Sequence, residues 1–96
     1  MIGVVATLRV QDGKGSEFET VMKDLAAKVK ANEAGCLFYE LTKSRQEPNA
    51  YKVLEAYRDQ AAFDHHTSTE YFLAARGAMG ACLAGKPDLE LLDGLA

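Results

Sequence analysis

Ninety-six residues carry 11 Lys and Arg against 14 Asp and Glu, a net charge of −3 with a pI near 5.3, and 48% are hydrophobic while 26% are charged. That balance belongs to a soluble globular domain and excludes a disordered chain. The acidic character, with no Lys or Arg cluster interleaved with aromatics, argues against nucleic acid or an anionic membrane as partner and leaves small molecules. The length fits one domain over residues 1–96, and so small a core gains from self-association.

Residues 2–10 alternate, with Ile2, Val4, Ala6, Leu8 and Val10 on one face and Gly3, Val5, Thr7 and Arg9 on the other. This predicts a first strand with one wholly apolar face. Polar residues by position 7 exclude the apolar core of a secretory leader and a span of ~20 apolar residues, so the chain is expected in the cytoplasm. Ser16 and Glu19 have capping-box spacing at a helix start. Phe18, Val21, Met22, Leu25, Ala26 and Val29 then repeat at three and four, the stripe of a helix lying on a sheet. Gly35 marks its end, and residues 36–44 read as a second strand joined to a third by a turn at Pro48 and Asn49.

The run YKVLEAYRDQAAFDHHTSTEYF at 51–72 is the most informative in the chain. Tyr51, Val53, Glu55 and Tyr57 share one face of the third strand, which sets a carboxylate among apolar neighbours. Asp59 is an N-cap candidate, and Phe63 and His66 fall on one side of the helix that follows. Thr67 and Glu70 suggest a second capping box restarting the helix at a new angle, with Phe72, Ala75, Met79, Cys82 and Leu83 as its buried stripe. Gly85 and Pro87 close it, and residues 89–92 read as a last strand. The order β-α-β-β-α-β is that of an α+β, ferredoxin-like fold with a four-stranded antiparallel sheet. Cys36 and Cys82, without CxxC spacing, read as small core hydrophobes of a reducing compartment.

The same run resembles the antibiotic biosynthesis monooxygenase family through Glu55, Tyr57, Asp59, Ala62, Phe63, His66, Thr69 and Phe72, and the Gly35–Leu41 stretch GCLFYEL looks like that family's second strand. The resemblance spans nearly the whole chain. It implies a dimeric α+β barrel and oxidation of an aromatic or quinol-like substrate, often without flavin or metal. The outer face of the sheet, with Val5, Thr7, Arg9, Phe38, Glu40, Lys52, Leu54 and Ala56, is too apolar to lie bare and too polar for a monomer core, so a homodimer packed sheet to sheet is expected.

On this reading the expected function is a cofactor-independent monooxygenase acting on a quinol or phenol. His66 is the expected base, since imidazole titrates near neutral pH, and Glu55 is expected to orient its ring and fix its tautomer. Tyr39 and Tyr57 would sandwich a planar substrate, with Phe63, Phe72, Leu8 and Met79 around it. His65 reads as a solvated surface residue. No metal ligand set is expected: the adjacent histidines lack i, i+4 spacing, and no Cys and His cluster forms a zinc site. Leu8 stands where several family members place an asparagine, so the amide hydrogen bond to substrate would be missing. Arg76 stands where haem-degrading relatives carry an axial histidine, and a guanidinium does not ligate iron. Two other readings stay open: an isomerase moving a proton on a small oxygenated metabolite, and a non-catalytic, aromatic-ligand-binding stress-response dimer.

Overall fold

The apolar alternation of the first residues ends up at the centre of the sheet. In the computed structural model, which describes residues 1–96, β1 (Ile2–Arg9) is flanked by β3 (Ala50–Tyr57) and β4 (Asp88–Asp93), with β2 (Cys36–Lys43) outside β3. Every pairing is antiparallel. Three helices complete the α+β, ferredoxin-like chain: α1 (Gly15–Asn32), then α2 (Gln60–Ser68) and α3 (Glu70–Gly80), the two halves of the second helical segment.

Register decides what meets the helices. Tyr39 lies opposite Glu55, and Glu55 opposite Val4, while Leu41, Val53 and Ala6 form the adjacent row. Directly opposed residues share a face. These rows pack against the α1 stripe, where Phe18, Met22, Leu25 and Val29 are all buried. The alternate residues, among them Val5, Leu54, Ala56 and Phe38, form the opposite, uncovered face, and Phe38 is 49% exposed. The last strand is longer than the expected 89–92, and all six of its residues are exposed.

Both predicted capping boxes give way to other partners. Lys14, not Ser16, precedes α1 and makes no side-chain cap, because Glu19 is drawn to the sheet, where its Oε2 accepts from the Tyr51 hydroxyl at 2.6 Å. Thr67 lies inside α2 and bonds back to carbonyls of its own helix. Thr69 is the residue between the helices: its hydroxyl donates to the His66 carbonyl at 2.9 Å and accepts from the Phe72 amide at 3.3 Å. Asp59 caps α2 as expected, accepting from the Ala62 amide at 2.9 Å. Cys82 is buried and donates its thiol to Glu17, whereas Cys36 is only half-buried.

The turn after α1 passes so close to α2 that a Cβ on Gly35 would stand 2.6 Å from the Cβ of Ala62. No real pair of carbons tolerates that separation, so one element must move. Gly35→Ala is therefore expected to destabilise the protein by ~1–3 kcal/mol, the usual cost of overpacking. Combined with Ala62→Gly, the loss in thermal or denaturant unfolding should be smaller than the sum of the two single losses. Strict additivity would mean that something other than this contact constrains Gly35.

Candidate functional site

Two carboxylates lie near the predicted site, and their surroundings differ. Glu33, just past the end of α1, is 6% exposed and has both oxygens 3.1 Å from Nδ1 of His66. Its Oε2 also accepts a short hydrogen bond from the Tyr71 hydroxyl. His66 is sealed in the interior, with the rings of Phe72, Tyr57 and Tyr39 at centroid distances of 4.8, 5.3 and 5.4 Å. Burial pushes the imidazole below its usual pKa, opposed by the carboxylate of Glu33. The neutral form of the ring is thereby favoured, and with the Glu33 carboxyl group facing Nδ1 the proton is assigned to that nitrogen.

The expected pairing of Glu55 with His66 is thus replaced by Glu33 with His66. Each group has another partner: Glu33 occupies Nδ1 of His66, and Glu55, in mid-strand, turns to its near neighbour, its Oε1 accepting from the Tyr57 hydroxyl at 2.6 Å. Oε2 has no partner in the chain and is not sealed off. Loss of water raises the Glu55 pKa to about 7; the Tyr57 hydroxyl opposes that shift and the charge of Glu33 adds to it. The same burial, with Glu55 beside it, drives the Tyr57 phenol far above its ordinary value.

Glu55 opens on a cavity of about 120 Å³ between the sheet and α3. Leu8, Tyr39, Phe72 and Met79, four of the residues expected around a substrate, form its walls together with Ala6, Val53 and Leu89. Tyr57 and Phe63 do not line it; their rings meet edge to face at 5.3 Å, on the His66 side. Nor does His66, which stands behind Phe72 and Tyr39. The expected constellation therefore divides into an apolar cavity with one carboxylate and, behind its aromatic wall, an imidazole tied to a second carboxylate. His65 is exposed, as expected, and lines a shallow polar cleft with Asp59 and Arg58, which pair with each other at 3.6 Å. No group of three His, Cys, Asp or Glu side chains converges on a point.

Two residues here escaped the sequence reading as functional candidates, Glu33 and Arg76. Arg76 lies at the rim of the cavity, exposed to solvent. The signal was available in the periodicity. Glu33 follows Val29 by four and Arg76 follows Phe72 by four, so each charge stands where the apolar stripe of its helix would continue.

A family model described as antibiotic biosynthesis monooxygenase matches residues 1–78, from β1 to within α3. The fold superposes on the crystal structure of a candidate antibiotic biosynthesis monooxygenase from Caulobacter crescentus CB15, 58% identical, with a TM-score of 0.97 over 99% of this chain and 90% of that one. A Pseudomonas aeruginosa structure is 32% identical, with a TM-score of 0.88 over 99% and 94% of the two chains. An uncharacterised Synechocystis protein is 30% identical over 71 residues, 74% of this chain and 48% of its own length. The chain thus spans about half the length of that curated relative.

Glu33→Ala would leave the Nδ1–H of His66 and the hydroxyl of Tyr71 buried without an acceptor. A loss of ~2–4 kcal/mol in unfolding free energy is expected, since stranded polar groups cost more than the bond they made. Glu33→Gln, which keeps one acceptor oxygen, should lose less in the same denaturation experiment. Equal losses would mean that the site needs the volume of the side chain and not its hydrogen bonds.

Proposed function

This chain belongs to the antibiotic biosynthesis monooxygenase family, and from that premise we propose that it oxidises a quinol or phenol with molecular oxygen, needs no metal or organic cofactor, and works as a homodimer in the cytoplasm. The observation that carries the reading is Glu55, the one carboxylate facing a mostly apolar cavity, with a pKa raised to about 7. A base is most effective when its pKa lies near the working pH. Leu8, Tyr39, Phe72 and Met79 supply an apolar surface for a ring.

In the proposed reaction Glu55 takes a hydroxyl proton from the bound quinol. The quinolate gives one electron to oxygen, and the resulting ring radical and superoxide join through a new carbon–oxygen bond. The O–O bond then breaks, the ring hydrogen leaves with the distal oxygen as hydroxide, and the proton held on Glu55 converts it to water. In sum, quinol and oxygen give a hydroxyquinone and water. An electron-rich substrate and oxygen supply all the electrons, so one base in a mostly apolar cavity is sufficient protein machinery. His66 takes a supporting part, its neutral ring held by Glu33 behind Phe72 and Tyr39.

The dimer rests on the uncovered sheet face. Phe38 and Leu92 there are 49% and 46% exposed, and Val5, Leu54 and Ala56 lie between them, among Lys52, Glu40 and Glu90. A second copy of the same face would bury the apolar residues and bring charges of opposite sign within reach.

Oxygen uptake by metal-free protein with benzohydroquinones and polyphenols, corrected for autoxidation, is expected to exceed the blank without accumulating peroxide. Glu55→Gln should lower it ~100-fold or more. The base must be ionised, so kcat/KM should rise with pH through an inflection near 7, the pKa of Glu55. An inflection below the ordinary histidine value would move the base to His66, whose pKa is depressed. Absence of uptake from folded protein at every pH would overturn the oxygenase reading. Product formed under anaerobic conditions would instead support proton transfer between carbons.

Sedimentation at micromolar concentration should give twice the 10.4 kDa chain mass, and Phe38→Lys should shift the species toward monomer. A wild-type chain sedimenting at its own mass would rule out the dimer.

A further inference from the structure

The cavity carries more information than the presence of a base, because its size and its rim are both specific. About 120 Å³ is slightly less than the engineered apolar cavity of ~150 Å³ that takes up benzene. One substituted ring suits such a space when its substituents reach the mouth, and a second fused ring would have to project from it. The interior offers one polar side, Glu55 on β3, flanked by Tyr39 opposite it on β2.

The rim is built by α3, whose Phe72, Arg76 and Met79 recur at i, i+4 and i+7 and all line the cavity. Packing alone would call for an aliphatic residue at the middle position. Arg76 is the one basic residue on the lining, and like Arg45 it has no carboxylate of the chain paired with it, whereas Arg9 and Arg58 both have acidic partners. A guanidinium is a planar fork of donors suited to a carboxylate. The site is thus polar at both ends and apolar between: a proton acceptor inside, an unengaged cation at the mouth.

We propose that the cavity selects a single-ring phenol or hydroquinone bearing a ring carboxylate, with its hydroxyl directed to Glu55 and its carboxylate on Arg76. This names the substrate class of the oxygenation proposed above, and the placing of the hydroxyl rests on that reading. The carboxylate at Arg76 and the single-ring limit stand on the rim and the volume.

Binding measured anaerobically, by calorimetry or ligand-observed NMR, separates recognition from turnover. A para-dihydroxybenzoate is expected to bind about tenfold more tightly than unsubstituted benzohydroquinone, the worth of one charge-assisted contact at an exposed rim. A dihydroxynaphthoate with the same charge should neither bind comparably nor displace it. Arg76→Gln should bring the ratio between carboxylate and neutral ligand close to one, and Arg76→Lys should retain part of it. Arg45→Gln, an exposed arginine in the β2–β3 turn, controls for general charge and should leave the ratio unchanged.

Equal affinity for the charged and neutral single rings, a preference that survives Arg76→Gln, tighter binding of the naphthoate, or no binding of any of the three overturns the proposal. The oxygen-uptake experiment fails separately. Uptake with neutral hydroquinone and no carboxylate preference would remove this inference and leave the oxygenase reading. A carboxylate preference without uptake would do the reverse.

Discussion

A carboxylate shut away from water must be surrounded by donors or it unfolds what encloses it. Glu33 meets that demand with one donor from each of the other two helices, the imidazole of His66 on α2 and the phenol of Tyr71 on α3. Three helix segments are thereby held to one point, near the start of β2. Much of the neighbouring geometry follows. His66 cannot rotate without breaking its bonds to Glu33, so the rings of Tyr39, Tyr57 and Phe72 that pack on it are set as well. Phe72 and Tyr39 are in turn walls of the cavity.

The contrast between the two acidic residues explains why only one of them is suited to chemistry. Glu33 has its oxygens engaged by two donors from elsewhere in the fold, and little capacity remains for a substrate. Glu55 has a single partner, Tyr57, two residues along its own strand, and one oxygen left over beside an apolar space. Burial, only partly offset by that single hydrogen bond, raises its pKa to about 7. The same residue type is thus a fully engaged tie in one place and, in the proposed reaction, a proton acceptor in another, according to how its surroundings satisfy it.

Much of this was legible in the residues. Strand alternation placed Glu55, Tyr57 and Val53 on the buried face, and the i, i+3, i+4 stripe of α1 named the residues that prove buried. The cap at Asp59 and the break before α3 were also visible, since local hydrogen bonding sets both. What the spacing did not disclose were pairings between distant segments. Spacing alone gives Glu19 to its own helix end, whereas Tyr51, 32 positions away, holds it. Spacing alone pairs His66 with Glu55, 11 positions away, whereas Glu33, 33 positions away, holds it. In each case a nearby partner of the right chemistry existed in the sequence, and tertiary packing brought a better one. The trace that remained was a charged residue standing in an apolar stripe.

The division of the cavity between a sheet and a helix has a consequence for how such a protein changes over generations. Glu55 belongs to β3, a strand bonded on both sides, which holds its backbone in place. Phe72, Arg76 and Met79 all belong to α3, whose replacement side by side requires no new backbone. With Phe72 packed on His66 and Met79 part of the core, ligand preference under the proposed roles would drift mainly through Arg76 while the proton acceptor stays in place. A lineage built on this plan would diversify its substrates faster than its chemistry.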